Sequence, residues 1–138
     1  MALKSKINHL NFLIHNFEEN LEIYRKCFDY LGYEKIMDSD GFLAFNNPND
    51  NISIWIMSAS TESENDRDSN GLNHLGIGVD SKEEVNKFVE EFLKPNNIEC
   101  LFETPRTRPE FAGETGDYYQ VMFQLPGTLL FEVMFYKN

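Results

Sequence analysis

The tripeptide Asn-His-Leu occurs twice in this chain, at Asn8-His9-Leu10 and at Asn73-His74-Leu75. The similarity continues beyond the tripeptide, because an apolar-rich segment follows each copy and leads to a pair of glutamates, at 18–19 and at 83–84. A repeat of this length is typical of one supersecondary unit that has been duplicated. The chain is therefore constrained to fold as two related units, each with a histidine at the same place.

Each copy is predicted to open with a strand followed by a helix. From Lys6 to Ile14 the apolar side chains alternate between two faces, as they do along a strand. Asn16 and Ser81 each stand three residues before a glutamate, which is the spacing of a capping box and predicts the start of a helix. The two helices are expected to end at Gly32 and at Pro95.

Three short strands are predicted after each helix, separated by segments rich in Gly, Pro, Asn and Asp. The sequence thus predicts an α+β fold of two tandem βαβββ modules, at about residues 4–58 and 71–138, joined by a polar linker at 59–70. The predicted strands are Tyr33–Met37, Phe42–Phe45 and Ile52–Met57 in the first module, and Glu99–Glu103, Tyr118–Leu125 and Thr128–Tyr136 in the second.

Charge and hydropathy exclude several classes of function. The formal net charge is -11, and the 12 Lys and Arg residues are scattered, so no basic surface for nucleic acid is expected. No apolar run is long enough to span a bilayer and residues 1–7 have no secretory signal, so we expect a cytoplasmic protein without a membrane partner. Cys27 and Cys100 are expected to be reduced, buried thiols.

Three residues are candidates for a metal site. His9 and His74 occupy matched places on the two opening strands, and Glu132 interrupts the apolar run of the last strand. A carboxylate in such a strand is costly to bury unless a partner compensates it. Two imidazoles and one carboxylate form the facial triad that holds a divalent metal and leaves coordination positions open. His15 has no counterpart in the second copy, and we interpret it as a solvated turn residue.

The duplicated unit, its paired histidines and the glutamate of the last strand resemble the vicinal oxygen chelate superfamily, from about Lys4 to Tyr136. That superfamily includes glyoxalase I, extradiol dioxygenases, fosfomycin-resistance enzymes and bleomycin-resistance proteins. The resemblance implies a cupped, barrel-like mixed sheet with His9, His74 and Glu132 as ligands of a divalent ion, which would be Fe, Mn, Zn or Ni. It also implies a homodimer.

One departure from the superfamily pattern concerns Trp55. Alignment of the last strands of the two copies sets Trp55 against Glu132, whereas members with glyoxalase I activity usually place a fourth ligand, a glutamate, there. The resemblance therefore favours a three-ligand site and argues against an ordinary glyoxalase I. Trp55 is expected either to form an apolar wall of the cavity or to pack in the core.

Further cavity residues are predicted in the second module. The segment Pro105–Asp117 has the length and composition of a lid and carries Arg106 and Arg108, the basic groups best suited to meet an anionic substrate, although a surface role is favoured for both. Tyr118 and Tyr119 alternate on the next strand, so one of them should face the cavity and donate a hydrogen bond there.

Two functions stay open at the level of sequence. The first is a metal-dependent lyase, isomerase or dioxygenase that chelates a small substrate through two neighbouring oxygens, as the resemblance implies. The second is a metal-free binding or sequestration protein of the bleomycin-resistance kind. The intact trio of His9, His74 and Glu132 favours the enzyme.

Overall fold

The computed structural model describes residues 1–127 and 129–138 and divides into two compact units, Met1–Ser63 and Glu64–Asn138. Among these residues no helix combines the length and the apolar character needed to cross a membrane. Unit 1 contains β1 (His9–Ile14), α1 (Phe17–Tyr30), β2 (Glu34–Ser39), β3 (Phe42–Asn46) and β4 (Ser53–Ser58). Unit 2 contains β5 (His74–Val79), α2 (Lys82–Phe88) with a π-helical turn (Val89–Leu93), β6 (Leu101–Thr107), a 3-10 turn (Pro109–Phe111), β7 (Asp117–Gln124) and β8 (Leu130–Lys137).

The two units share one topology, which confirms the predicted pair of βαβββ modules. Their strand orders are β1-β4-β3-β2 and β5-β8-β7-β6. In each sheet the first strand is parallel to the last and the remaining pairs are antiparallel, so both sheets are mixed. The register sets Asn11 opposite Trp55 and Gly76 opposite Glu132. Each opposing residue lies two positions after the repeated histidine, so Trp55 and Glu132 are equivalent, as the sequence alignment predicted.

One helix covers one face of each sheet. In unit 1 the ring of Phe28 on α1 stacks on Phe45 of β3, with centroids 5.0 Å apart. In unit 2 Phe88 on α2 packs against Phe123 of β7 at 5.2 Å. Because side chains alternate along a strand, the neighbours of Phe123 on β7 point to the opposite face of the sheet. That second face carries the pocket described below.

The predicted N-cap is correct for α2, where Glu84 reaches back to the residue before the cap, and wrong for α1. The backbone N–H of Glu84 donates to Ser81 Oγ at 3.1 Å, and Glu84 Oε2 accepts from the backbone N–H of Asp80 at 2.7 Å. Asn16 instead adopts a left-handed conformation, with φ 49°, and its side chain makes no capping hydrogen bond. Asn tolerates that conformation better than most residues do, so Asn16 turns the chain between β1 and α1 without capping the helix.

The largest departures from the predicted boundaries lie around β6. This strand runs through Leu101–Thr107, later than the predicted 99–103, and its register shifts between Leu101 and Arg106. Phe102 and Glu103 have φ values of 56° and 57° at this bulge. The predicted lid is consequently shorter, because its first residues extend β6 and Pro109–Phe111 form a 3-10 turn. The predicted start of the last strand, Thr128, lies outside the described residues.

Candidate functional site

A pocket with a volume of about 630 Å³ opens on the face of the unit 2 sheet opposite α2. Tyr118, Gln120 and Met122 alternate along β7 and point into it. Glu132 of β8 and His74 of β5 lie on the same face. Every residue that lines this pocket belongs to unit 2.

Glu132 is the polar centre of the pocket, and its side chain is only 4 % exposed. Its Oε1 accepts a hydrogen bond from the Tyr118 hydroxyl at 2.6 Å, and its Oε2 lies 3.1 Å from His74 Nε2. Burial, followed by the hydrogen bond to Glu132 and its charge, raises the pKa of Tyr118 well above the usual range. The phenol therefore stays protonated and acts as a donor to the carboxylate.

Gln120 connects Glu132 to Arg108. With its amide nitrogen turned toward the carboxylate, Gln120 donates to Glu132 Oε1 at 2.6 Å and accepts from Arg108 Nη1 at 3.1 Å. Arg108 also donates from Nε to Glu110 Oε1 at 2.5 Å. The buried carboxylate thus obtains the donors that compensate its loss of water.

Asn73 determines the orientation of His74. The Asn73 amide nitrogen donates to the backbone carbonyl of Arg67 at 2.9 Å, so its oxygen is the atom that faces His74 Nδ1, at 2.6 Å. An amide oxygen only accepts, so Nδ1 donates the hydrogen bond, and Nε2 presents a lone pair whenever it carries no proton. That lone pair faces Glu132 Oε2 at 3.1 Å. Two acceptors at this separation repel each other unless a proton or a cation lies between them.

Unit 1 repeats the first part of this arrangement. His9 Nδ1 lies 2.9 Å from Asn8 Oδ1, the same side-chain pairing between consecutive residues. A hydrogen bond from one ring nitrogen to a fixed oxygen is the usual support of a metal-binding histidine. The repeated Asn-His dipeptide therefore encodes the histidine together with the group that orients it.

Neither a protein-family model nor a curated protein matches the sequence. Solved structures match almost the whole chain. A candidate glyoxalase from Bacillus halodurans is 20% identical with a TM-score of 0.77, and the match covers 94% of each chain. A glyoxalase/bleomycin resistance protein from Albidiferax ferrireducens T118 is 16% identical with a TM-score of 0.73, covering 95% of this chain and 99% of that one. A glyoxalase/bleomycin resistance protein/dioxygenase from Alicyclobacillus acidocaldarius is 15% identical with a TM-score of 0.67, covering 100% and 96%.

The chain has the glyoxalase/bleomycin resistance protein/dioxygenase fold. The resemblance to the vicinal oxygen chelate superfamily is thereby confirmed for the architecture, at identities that support the fold alone. Two donor side chains of unit 2 lie close enough to be considered as ligands of one divalent ion.

The pair His74 and Glu132 fits two coordination positions of a divalent ion. Ligand atoms about 2.1 Å from an ion, at octahedral or tetrahedral angles, are separated by about 3.0–3.4 Å, and His74 Nε2 and Glu132 Oε2 are 3.1 Å apart. Among the described residues, no group of three His, Cys, Asp or Glu side chains is placed to hold a metal. The glyoxalase-type fold thus shows an oriented pair of donors in unit 2 and an oriented histidine in unit 1.

The remaining predicted site residues are placed differently. Tyr118 and Arg108 line the pocket of unit 2, whereas the hydroxyl of Tyr119 donates to Asn86 Oδ1 at 2.7 Å. Arg106 lies opposite Gln120 in the register but pairs with Glu103 at 3.7 Å and does not line the pocket. Trp55 is half-buried in unit 1, where its indole N–H donates to Ser53 Oγ at 3.1 Å.

Sequence patterns did not indicate several residues of the pocket. Arg67 belongs to the segment predicted as a solvated linker, yet it lines the pocket, with its guanidinium 5.3 Å from the ring centroid of Phe102. Phe111 lies under Arg108, at 4.8 Å, and contacts Tyr118 edge-on. An aromatic residue in a loop rich in Pro and Gly is the sequence signal that could have indicated Phe111.

Proposed function

We propose that this chain is a divalent-metal-dependent enzyme that acts on a small molecule with two neighbouring oxygens. His9, His74 and Glu132 are the proposed ligands. The observation that carries the proposal is the contact between His74 Nε2 and Glu132 Oε2, because a ring nitrogen and a carboxylate oxygen 3.1 Å apart have the separation of two ligands of one ion, and Asn73 holds the ring in that orientation. A cation is the occupant that such a pair suits.

The residues of the chain have distinct parts in this proposal. Tyr118 and Gln120 hold the carboxylate of Glu132 from the side away from His74. Asn73 holds the imidazole of His74, and Asn8 holds that of His9. When bound, the ion would supply Lewis-acid chemistry, neutralising negative charge on two oxygens of the substrate and orienting them.

The equivalence of Trp55 and Glu132 narrows the class of reaction. Members of the superfamily with glyoxalase I activity usually carry a fourth carboxylate ligand at the position of Trp55, and the equivalence of Trp55 with Glu132 in the register supports this comparison. An indole offers no ligand to a metal. We therefore propose a three-ligand site with open coordination positions, and lyase, isomerase or ring-cleaving oxygenase chemistry in preference to that of an ordinary glyoxalase I.

Metal analysis of protein purified without chelators tests this proposal. We expect close to one equivalent of a transition metal per chain, and near-complete loss of bound metal in His74→Ala and Glu132→Gln. His15→Ala is the matched control, because His15 directly follows β1 and does not line the pocket. A bound-metal content below about a tenth of an equivalent, before and after reconstitution, would contradict the enzyme proposal. With metal bound, oxygen uptake with catechols separates oxygenase chemistry from the other two classes.

The alternative is a metal-free binding protein, which the aromatic part of the pocket favours. Phe102 and Phe111 are 48% and 56% exposed and line it beside Met122. Such a surface suits an apolar ligand without any ion. Binding of an aromatic compound by protein that takes up no metal would select this alternative. We also propose a homodimer, which the resemblance to the superfamily implies. Sedimentation velocity measures the oligomeric state.

A further inference from the structure

We propose that the pocket of unit 2 selects an aromatic carboxylate, with the carboxylate on Arg67 and the ring against Phe102. This names the substrate class of the site described above, and it rests on the proposed function for the chemistry that follows binding. The contacts of Arg67, Phe102, Thr104 and Asn73 support this inference.

Arg67 is a cation without a carboxylate partner among the described residues. Its guanidinium lies over the ring of Phe102 at 5.3 Å, and no ion pair within 4.0 Å engages it. The neighbouring Asp66 is occupied by its own turn, where it accepts from Ser69 Oγ at 2.7 Å and from the backbone N–H of Asp68 at 3.0 Å. Arg108, by contrast, is already engaged by Glu110. A guanidinium over the face of a ring still has N–H groups that can donate to a carboxylate.

Phe102 is presented to the pocket by strained backbone. Phe102 and Glu103 have φ values of 56° and 57°, in the left-handed region that is unfavourable for residues with a side chain. Thr104 supports this bulge, because its hydroxyl donates to the carbonyl of Leu101 at 2.7 Å and accepts from the backbone N–H of Met122 at 2.9 Å. A large apolar ring kept about half-exposed at such a cost is a candidate for ligand contact.

Asn73 links Arg67 to the polar end of the pocket. Its amide nitrogen binds the backbone carbonyl of Arg67, and its oxygen binds His74. The backbone of Arg67 is therefore fixed relative to the imidazole by two hydrogen bonds through one side chain. A molecule held at His74 and Glu132 thus has a cation and an aromatic ring in the same pocket for its other end.

The charge of the pocket favours a singly charged anion. Arg67 and Arg108 are offset by Asp68 and Glu132 among the lining residues, within a chain of net charge -11. One free guanidinium suits a carboxylate, whereas a phosphate of nearly two negative charges would meet stronger repulsion from Asp68 and Glu132. The aromatic lining then selects a ring over an aliphatic chain.

The test compares 2-naphthoate with its neutral isostere 2-naphthamide on full-length, chelator-treated protein by isothermal titration calorimetry. We expect naphthoate to bind about 5- to 20-fold more tightly, since one charged hydrogen-bonding group distinguishes the two probes. Arg67→Gln should bring the ratio close to one, and Arg67→Lys should retain part of it. Arg25→Gln is the control, because Arg25 belongs to unit 1 and pairs with Asp38. Phe102→Ala should weaken both probes equally, and circular dichroism confirms that each variant is folded.

Equal affinity for the two probes, no binding of either, or a ratio that survives Arg67→Gln would overturn the inference. Binding of naphthoate that appears only after metal is added would also overturn it, because the carboxylate would then be bound by the ion. Since the titration is performed without metal, loss of metal binding would reject the proposed function and leave this result standing. A chain that binds metal but does not distinguish the probes would reject the Arg67 subsite alone.

Discussion

Asn73 orients the ring of His74, its neighbour in sequence, by accepting a hydrogen bond from His74 Nδ1. The backbone carbonyl of Arg67 accepts a hydrogen bond from the Asn73 amide nitrogen. The Asn73 oxygen is thereby held against His74 Nδ1. The sequence indicated the histidine through its repetition. It could not show the role of the asparagine, because that role depends on the path of the segment that brings Arg67 alongside.

Replacing Asn73 with Ala tests this role. The imidazole would lose its fixed acceptor and rotate more freely, so we expect the dissociation constant for Co²⁺ or Mn²⁺ to rise by about 10-fold or more. Calorimetric titration of the reconstituted protein measures this change. Asn49→Ala is the matched control, since Asn49 is an exposed turn residue of unit 1. An unchanged affinity in Asn73→Ala would show that the hydrogen bond does not orient a ligand.

The adjacent tyrosines of β7 provide a second comparison of single residues. Tyr118→Phe removes a donor from the buried carboxylate of Glu132, and we expect the free energy of unfolding to fall by about 1–2 kcal/mol in metal-free protein. Tyr119→Phe removes an exposed hydrogen bond to Asn86 and should change it by less than about 0.5 kcal/mol. Urea denaturation measures both. Equal effects of the two substitutions would contradict the assigned orientations.

At the scale of elements, the periodic segments were predictable and their irregular ends were not. The apolar stripe of α1 and the alternation along β1 follow from spacing alone. The bulge of β6 does not, because Phe102 and Glu103 are not residues that favour positive φ, and the Thr104 hydroxyl that supports them accepts from Met122, which is 18 residues away in sequence. The pocket contact of Phe102 was therefore hidden from the sequence, as was that of Arg67.

We expect opposite effects of substitutions at the first residues of the two helices, although both sequences have the spacing of a capping box. Ser81→Ala should lower the free energy of unfolding by about 1 kcal/mol, because it removes an acceptor that the backbone N–H of Glu84 uses. Asn16→Gly should leave it within about 0.5 kcal/mol or raise it, because glycine adopts the left-handed conformation of residue 16 without steric cost. Thermal and urea denaturation of both variants provide the measurement. A loss in Asn16→Gly as large as that in Ser81→Ala would mean that Asn16 caps α1 after all.

At the scale of the whole molecule, the duplication was the most informative pattern. It predicted two modules of equal topology and the equivalence of Trp55 with Glu132, and the register of the two sheets confirms both. These properties follow from residue spacing, which the chain displays directly. The reaction does not follow from the fold, because the same architecture supports enzymes and binding proteins, and the distinction depends on a few donor atoms.

The excess of acidic residues predicts how the whole molecule responds to salt. The chain has 23 Asp and Glu against 12 Lys and Arg, so its carboxylates repel one another over long distances. Its ion pairs join atoms 2.5–4.0 Å apart, well inside the Debye length of about 10 Å at 0.1 M salt, so screening weakens the long-range repulsion first. Raising NaCl from about 20 mM to about 0.5 M at pH 7 should therefore raise the Tm by about 2–4 °C.

The same salt titration near the isoelectric point of about 4.6 is the control, because the net charge is close to zero there and the rise in Tm should vanish. A Tm that falls with salt at pH 7 would show that the short ion pairs outweigh the repulsion of the acidic surface.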